Sequence, residues 1–121
     1  MTHSARSLGA RGESLARQYL INQGYEIVTS NWSTRYGEID IVARSNGVIV
    51  FVEVKTRQGR DTESAFAGIS RAKHERLVKA AYQYIHEHEP DDARWRMDAI
   101  GIALHGQGQP VIDHVEDAFD W

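Results

Sequence analysis

Asn46-Gly47 separates two runs of alternating β-formers, Gly37 to Ser45 and Val48 to Lys55. That dipeptide is the strongest short-range hairpin signal, because a type I′ turn needs φ > 0 at both central residues. A two-residue loop sets Ser45 opposite Val48. Counting back along the ladder then puts Asp40 opposite Glu53 and Glu38 opposite Lys55. Neighbours at i and i+2 point the same way, so these four side chains are expected on one sheet face. Ile39, Ile41 and Ala43 with Val48, Val50, Val52 and Val54 form the other, a core face. The charged face also carries Val42, Ile49 and Phe51 and becomes apolar toward the turn. Such a sheet is expected to be covered on both sides, with its acidic end open as a cleft.

Two carboxylates directly across a ladder repel, so this register calls for a compensating cation. A divalent metal supplies it, with Lys55 close by. Oxygen ligands at this density suit Mg²⁺ or Mn²⁺ rather than zinc. A cation held there activates water and neutralises a phosphoryl oxygen, while a lysine orients or deprotonates the water. The plainer alternative is a polar strand face with an ion pair between Glu38 and Lys55. Against it, the like-charged pair costs stability, the strands are otherwise too apolar for surface decoration, and Glu53-Val54-Lys55 sets acid and base on one face.

Other candidates carry weaker signals. Glu13, at the edge of an apolar helical arc, is placed to reach over the sheet as a further ligand or water holder; a first-turn acid opposing the helix dipole is equally common. A buried Asp98 needs a partner, and Arg96 on the same side is the simplest one. His86 and His88 point away from each other on a helix and cannot chelate together. Trp32, Trp95 and Trp121 offer stacking surfaces for bases, although isolated tryptophans are more often core or lid.

At 121 residues the chain reads as one domain, residues 1–121. It has no cysteine, which excludes disulfides and thiolate metal sites and agrees with a reducing cytosol. No apolar run approaches membrane-spanning length, so a cytoplasmic protein without a membrane partner is expected. The net charge of −3 argues against a general nucleic-acid binder, but the charge is unevenly spread. Residues 1–86 hold twelve Lys and Arg against eight acids, whereas residues 87–121 hold Arg94 and Arg96 against nine. A basic surface near the hairpin is therefore compatible with an acidic end; ordinary solvated charge explains the split equally well.

Around the hairpin, residues from about Ser7 to Gln23 read as a helix with an arc of Leu8, Gly12, Leu15, Ala16, Tyr19 and Leu20, stopped by Gly24. Tyr25 to Trp32 reads as a strand, and residues 57–69 as a polar, mobile loop. Ser70 is the expected N-cap of a helix that reaches about Glu89 before Pro90, with a stripe of Leu77, Val78, Ala81, Tyr82 and Ile85. Strands follow at about Arg94 to Leu104 and near Val111 to Val115. The order α-β-β-β-α-β-β implies an α/β (α+β layered) domain around a mixed sheet.

Gly37-Glu38-Ile39-Asp40-Ile41-Val42-Ala43, followed by Phe51-Val52-Glu53-Val54-Lys55-Thr56-Arg57, resembles the YraN-like bacterial family of predicted endonucleases. Glu53-Val54-Lys55 with Asp40 is similar to the PD-(D/E)xK signature of restriction-endonuclease-like folds, with archaeal Holliday-junction resolvases as distant relatives. The resemblance extends over nearly the whole chain: Gly12-Glu13, Ala16, Tyr19-Leu20 and Gly24-Tyr25, then Asn31, Lys73, Arg96-Met97-Asp98 and the final Asp117-Ala118-Phe119. Met97 stands where the family usually has Phe, and Ile39 stands where the signature has proline.

The resemblance implies a Mg²⁺- or Mn²⁺-dependent endonuclease whose nucleic acid is expected to be DNA rather than RNA, acting at branched or abnormal structures. Asp40, Glu53 and the backbone carbonyl of Val54 would hold the metal, Lys55 would position and activate water, and Glu13 would complete the outer shell. Glu38 and Lys73 would support the site, Lys73 as a contact to the scissile phosphate. Arg57, Arg60, Arg71 and Arg76 would track the nucleic-acid backbone. Relatives that cut both strands often pair two sites, which allows a homodimer without requiring one. Two rival readings stand beside this one: a nucleic-acid-binding module that keeps the fold without cutting, and an adaptor acting through the acidic segment 87–121.

Overall fold

The computed structural model describes residues 5–106 and 108–118; Phe119 and Trp121 fall outside them. The elements are α1 (Ala5–Asn22), β1 (Glu26–Thr34), β2 (Gly37–Ser45), β3 (Val48–Gln58), α2 (Glu63–Ala67), α3 (Arg71–His88), β4 (Trp95–Leu104) and β5 (Val111–Val115). The five strands form one sheet in sequence order. Every neighbouring pair is antiparallel except β3 and β4, which run parallel. The connection through α2 and α3 makes that parallel crossover, so the sheet is mixed as expected.

The hairpin forms in the anticipated register, Ser45 opposite Val48 through Ile41 opposite Val52, around Asn46 and Gly47, both with positive φ. Gly24 ends α1 at φ 92°. Ser70 caps α3 by accepting the Lys73 backbone N–H at 3.1 Å.

Apolar side chains cover both faces of the sheet. On one face α1 lays Ala16 and Leu20 against Ile41, Ala43, Val50, Val52, Val54, Ile100 and Ile102. On the other, α3 lays Leu77, Ala80, Ala81, Tyr84 and Ile85 against Val42, Ile49, Phe51 and Met97. Each fully buried side chain of this size contributes roughly 1.5–3 kcal/mol of transfer free energy. Trp32 packs edge-on against Tyr84 and Trp95 against Phe51, so both belong to the core.

Three expectations need correction. Residues 57–69 are not a polar loop throughout: β3 continues to Gln58, and α2 follows with Ala65 buried. Gly101 admits this packing, because a Cβ there would stand 2.9 Å from the Phe66 ring. The buried stripe of α3 is Leu77, Ala80, Ala81, Tyr84 and Ile85, whereas Tyr82 is 59% exposed. The i, i+3, i+4, i+7, i+8 spacing selects Tyr84 over Tyr82. Ile39 joins the α3-side cluster with Val42 and Phe51 rather than the α1-side cluster of Ile41. Strict alternation along β2 therefore breaks at Asp40.

Candidate functional site: an acidic cleft at the fork of two strands

The break at Asp40 builds the site. The paired register of β2 and β3 ends at Ile41 and Val52, while β3 stays paired to β4 as far as Gln58. One step past the last pair, Asp40 Oδ2 accepts the Val54 backbone N–H at 2.8 Å. That donor would otherwise face the carbonyl of Ile39 across the ladder. A carboxylate thus stands where a strand carbonyl is expected. The N–H and C=O of one strand residue point to the same side, so the Val54 carbonyl opens into the same gap.

The opposing strand adapts as well. Asn31 on β1 takes a positive φ of 53°, a conformation asparagine tolerates better than most residues. Its amide donates to Glu13 Oε2 and to Glu38 Oε1, each at 2.9 Å. Glu13 comes from α1, which can lie this close because Gly12 has no side chain. A Cβ at Gly12 would stand 1.7 Å from Thr56 Oγ1. Carboxylate oxygens of Glu13, Glu38 and Asp40 consequently gather within 4.8 Å of one another. Glu38 is therefore held with Asn31 and Glu13, where the hairpin count had set it against Lys55.

Glu53 is 3% exposed. Its Oε1 receives Lys73 Nζ at 2.7 Å and Lys55 Nζ at 3.5 Å. Burial and the neighbouring Glu53 charge push the Asp40 carboxyl up to about 8. Burial, reinforced by Lys73, pulls Lys55 below the ordinary lysine range. Lys73 moves upward: burial works against its charge, but the Glu53 carboxylate outweighs it. The two lysines thus shift in opposite directions, Lys55 downward and Lys73 upward.

Carboxylate oxygens with a backbone carbonyl are the donor set of a hard divalent cation. The crowding that raises Asp40 is the condition such a cation relieves. The residues present therefore fit Mg²⁺ or Mn²⁺.

Of the anticipated site residues, Glu13, Glu38, Asp40, Glu53, Lys55 and Lys73 converge on this cleft. The four arginines do not. Arg57, Arg60, Arg71 and Arg76 are exposed; Arg71 faces Glu75 at 3.8 Å and the Arg57 guanidinium lies over Gly68. Asn31 as the bridge between two acids was missed, and its signal was an amide placed in a strand just before the acidic one. His114 was also missed. Asp98, fully buried, accepts from Arg96 Nε at 3.0 Å as anticipated, but also lies 2.7 Å from His114 Nε2 and accepts the Asp117 backbone N–H at 2.9 Å.

Residues 12–102 match the profile of a family described as "Uncharacterised protein family UPF0102". A UPF0102 protein of Roseiflexus castenholzii is 40% identical over 122 residues, covering 99% of this chain and 98% of the relative. One from Rhodococcus opacus is 40% identical over 119 residues, covering 98% and 100%. One from Chloroflexus aurantiacus is 45% identical over 111 residues, covering 91% and 90%.

Proposed function

The chain belongs to Uncharacterised protein family UPF0102, and we propose that it is a divalent-metal-dependent nuclease of the restriction-endonuclease-like type. Its proposed reaction is phosphodiester hydrolysis in DNA, at branched or otherwise abnormal structures. One observation carries this reading. Asp40 stands among Glu13, Glu38 and Glu53 at a strand fork, its carboxyl pushed up to about 8, with Lys55 and Lys73 beside it. A surface serving only to bind phosphates has no use for a cluster of negative charge.

In this reading Asp40, Glu53 and the Val54 carbonyl hold the cation, and Glu13 and Glu38 flank it, oriented by Asn31. Mg²⁺ or Mn²⁺ supplies Lewis acidity, lowering the pKa of water and offsetting charge on the phosphoryl oxygens. Lys55, whose pKa burial pulls down, would orient the attacking water and, once deprotonated, accept its proton. Lys73 keeps Glu53 in place and offers its charge to the scissile phosphate, where negative charge grows in the transition state. The exposed Arg57, Arg60, Arg71 and Arg76 follow the flanking backbone, which makes affinity fall with salt.

The test is cleavage of single-stranded, duplex, flapped and four-way-junction DNA with Mg²⁺, Mn²⁺ or EDTA. Wild type is expected to cut only with metal. Asp40→Asn and Lys55→Ala are expected to lose at least a hundredfold in rate, the size of a positioned general-base or electrostatic contribution. Cutting that persists in EDTA or in both variants would refute the assignment.

A further inference from the structure

Lys73, Arg76, Lys79 and Tyr82 recur at every third residue of α3, so they form one slanting ridge on the helix surface. The ridge begins at Glu53, which Lys73 holds, and leads away from it. Its far end borders an open cleft of about 570 Å³ lined by Arg35, Tyr36, Lys79, Tyr82, Gln83 and His86. Arg35 and Lys79 stand over the Tyr36 ring, 4.9 and 5.8 Å from its centroid. Tyr36 thereby fixes two cations at the cleft wall.

Tyr82 is 59% exposed, yet its ring is braced edge-on against Trp95 at 5.3 Å. Trp95 in turn packs on Phe51 at 5.7 Å. An aromatic ring held rigid in solvent offers a stacking surface with little ordering entropy left to lose. Gln83 and His86 add donors and acceptors suited to base edges. The Gln83 amide is oriented by donating to Glu87 at 3.1 Å.

We propose that this cleft receives an unpaired DNA strand, with a base stacked on Tyr82 and phosphates on Lys79 and Arg35. The proposal rests on the nuclease reading and narrows its substrate to DNA with unpaired nucleotides next to the scissile bond. A continuous duplex keeps its base faces inside the stack, so it engages the cations and leaves Tyr82 unused. Lys73 and Tyr82 are separated by about 14 Å along the helix axis, which places the stacked base within a few nucleotides of the cut.

The test is fluorescence anisotropy in EDTA, where no metal is available, with a labelled fork carrying one unpaired arm and a blunt duplex of the same paired sequence. Wild type binds the fork more tightly. Tyr82→Ala and Lys79→Ala weaken fork binding by about tenfold, the scale of one lost stacking partner. Tyr82→Phe retains it, and duplex binding moves little in Tyr82→Ala. Equal fork affinity in wild type, Tyr82→Ala and Lys79→Ala overturns the proposal, as does a wild type that binds no DNA. Cleavage with Mn²⁺ is run on the same proteins. Cutting with unchanged fork affinity in the variants overturns the cleft alone. Lost fork affinity in a protein that cuts nothing overturns the nuclease reading and upholds the cleft.

Discussion

Asp40 is the most strongly shifted carboxyl of the proposed site. Its carboxyl is pushed from an ordinary 3.8 to about 8 by burial and by Glu53. The folded state therefore keeps a proton that the unfolded chain releases. Between about pH 4 and pH 8 this makes the metal-free protein lose stability as pH rises. Urea titrations across that window are expected to show the decline in wild type and a flatter profile in Asp40→Asn, which carries no charge there. Added Mg²⁺ is expected to restore wild-type stability most at the alkaline end. Gly12 is the second decisive residue. Gly12→Ala sets a Cβ 1.7 Å from Thr56 Oγ1, which forces α1 off the sheet at a cost of about 1–3 kcal/mol. Glu13 moves with the helix, so the same variant is expected to bind metal more weakly, as read by Mn²⁺ titration.

At the scale of elements, the sequence disclosed the hairpin because its turn chemistry and both apolar runs agree on one register. It disclosed Asp40, Glu53 and Lys55 as a group for the same reason. It did not disclose that β2 and β3 part company past Ile41 and Val52. That fork depends on the Asp40 side chain replacing a backbone acceptor and on the positive φ of Asn31, and neither leaves a mark in a period-two pattern. The rotation of the α3 stripe was legible in the spacing of Leu77, Ala81, Tyr84 and Ile85, but Tyr82 is an equally apolar letter two positions before Tyr84 and drew the reading aside. α2 was hidden because five residues, Glu63–Ala67, are too few for helical periodicity to show. The β4 and β5 strands are tied by Asp98, which accepts from Arg96 and adjoins His114. Burial raises its pKa, but those partners outweigh burial and hold it below the ordinary range. Its contribution is thus present above that range and lost as pH falls beneath it. Asp98→Ala removes the buried partner of His114 and leaves Arg96 with Tyr25 and Glu116, at an expected cost of about 1–3 kcal/mol in urea denaturation. Because Asp98 lies on the α1 side of the sheet with no contact to Asp40, metal affinity is expected to change little.

Across the whole molecule, a five-stranded sheet with helices on both faces opens at the fork of β2 and β3, where Glu13, Glu38 and Asp40 gather and Lys73 of α3 lends positive charge. The net charge of −3 is unevenly spread, and Lys55 and Lys73 stand at the cleft beside Glu53. No helix among the described residues is long and apolar enough to cross a membrane. The proposed role of the crowded carboxylates around Asp40 is to hold a divalent cation. Isothermal titration with Mn²⁺ measures this directly. Saturable binding that releases protons below pH 8 is expected, strong in wild type and in Arg71→Ala and lost in Asp40→Asn. Absence of binding at any pH from 6 to 9, or an unchanged isotherm in Asp40→Asn, would contradict it.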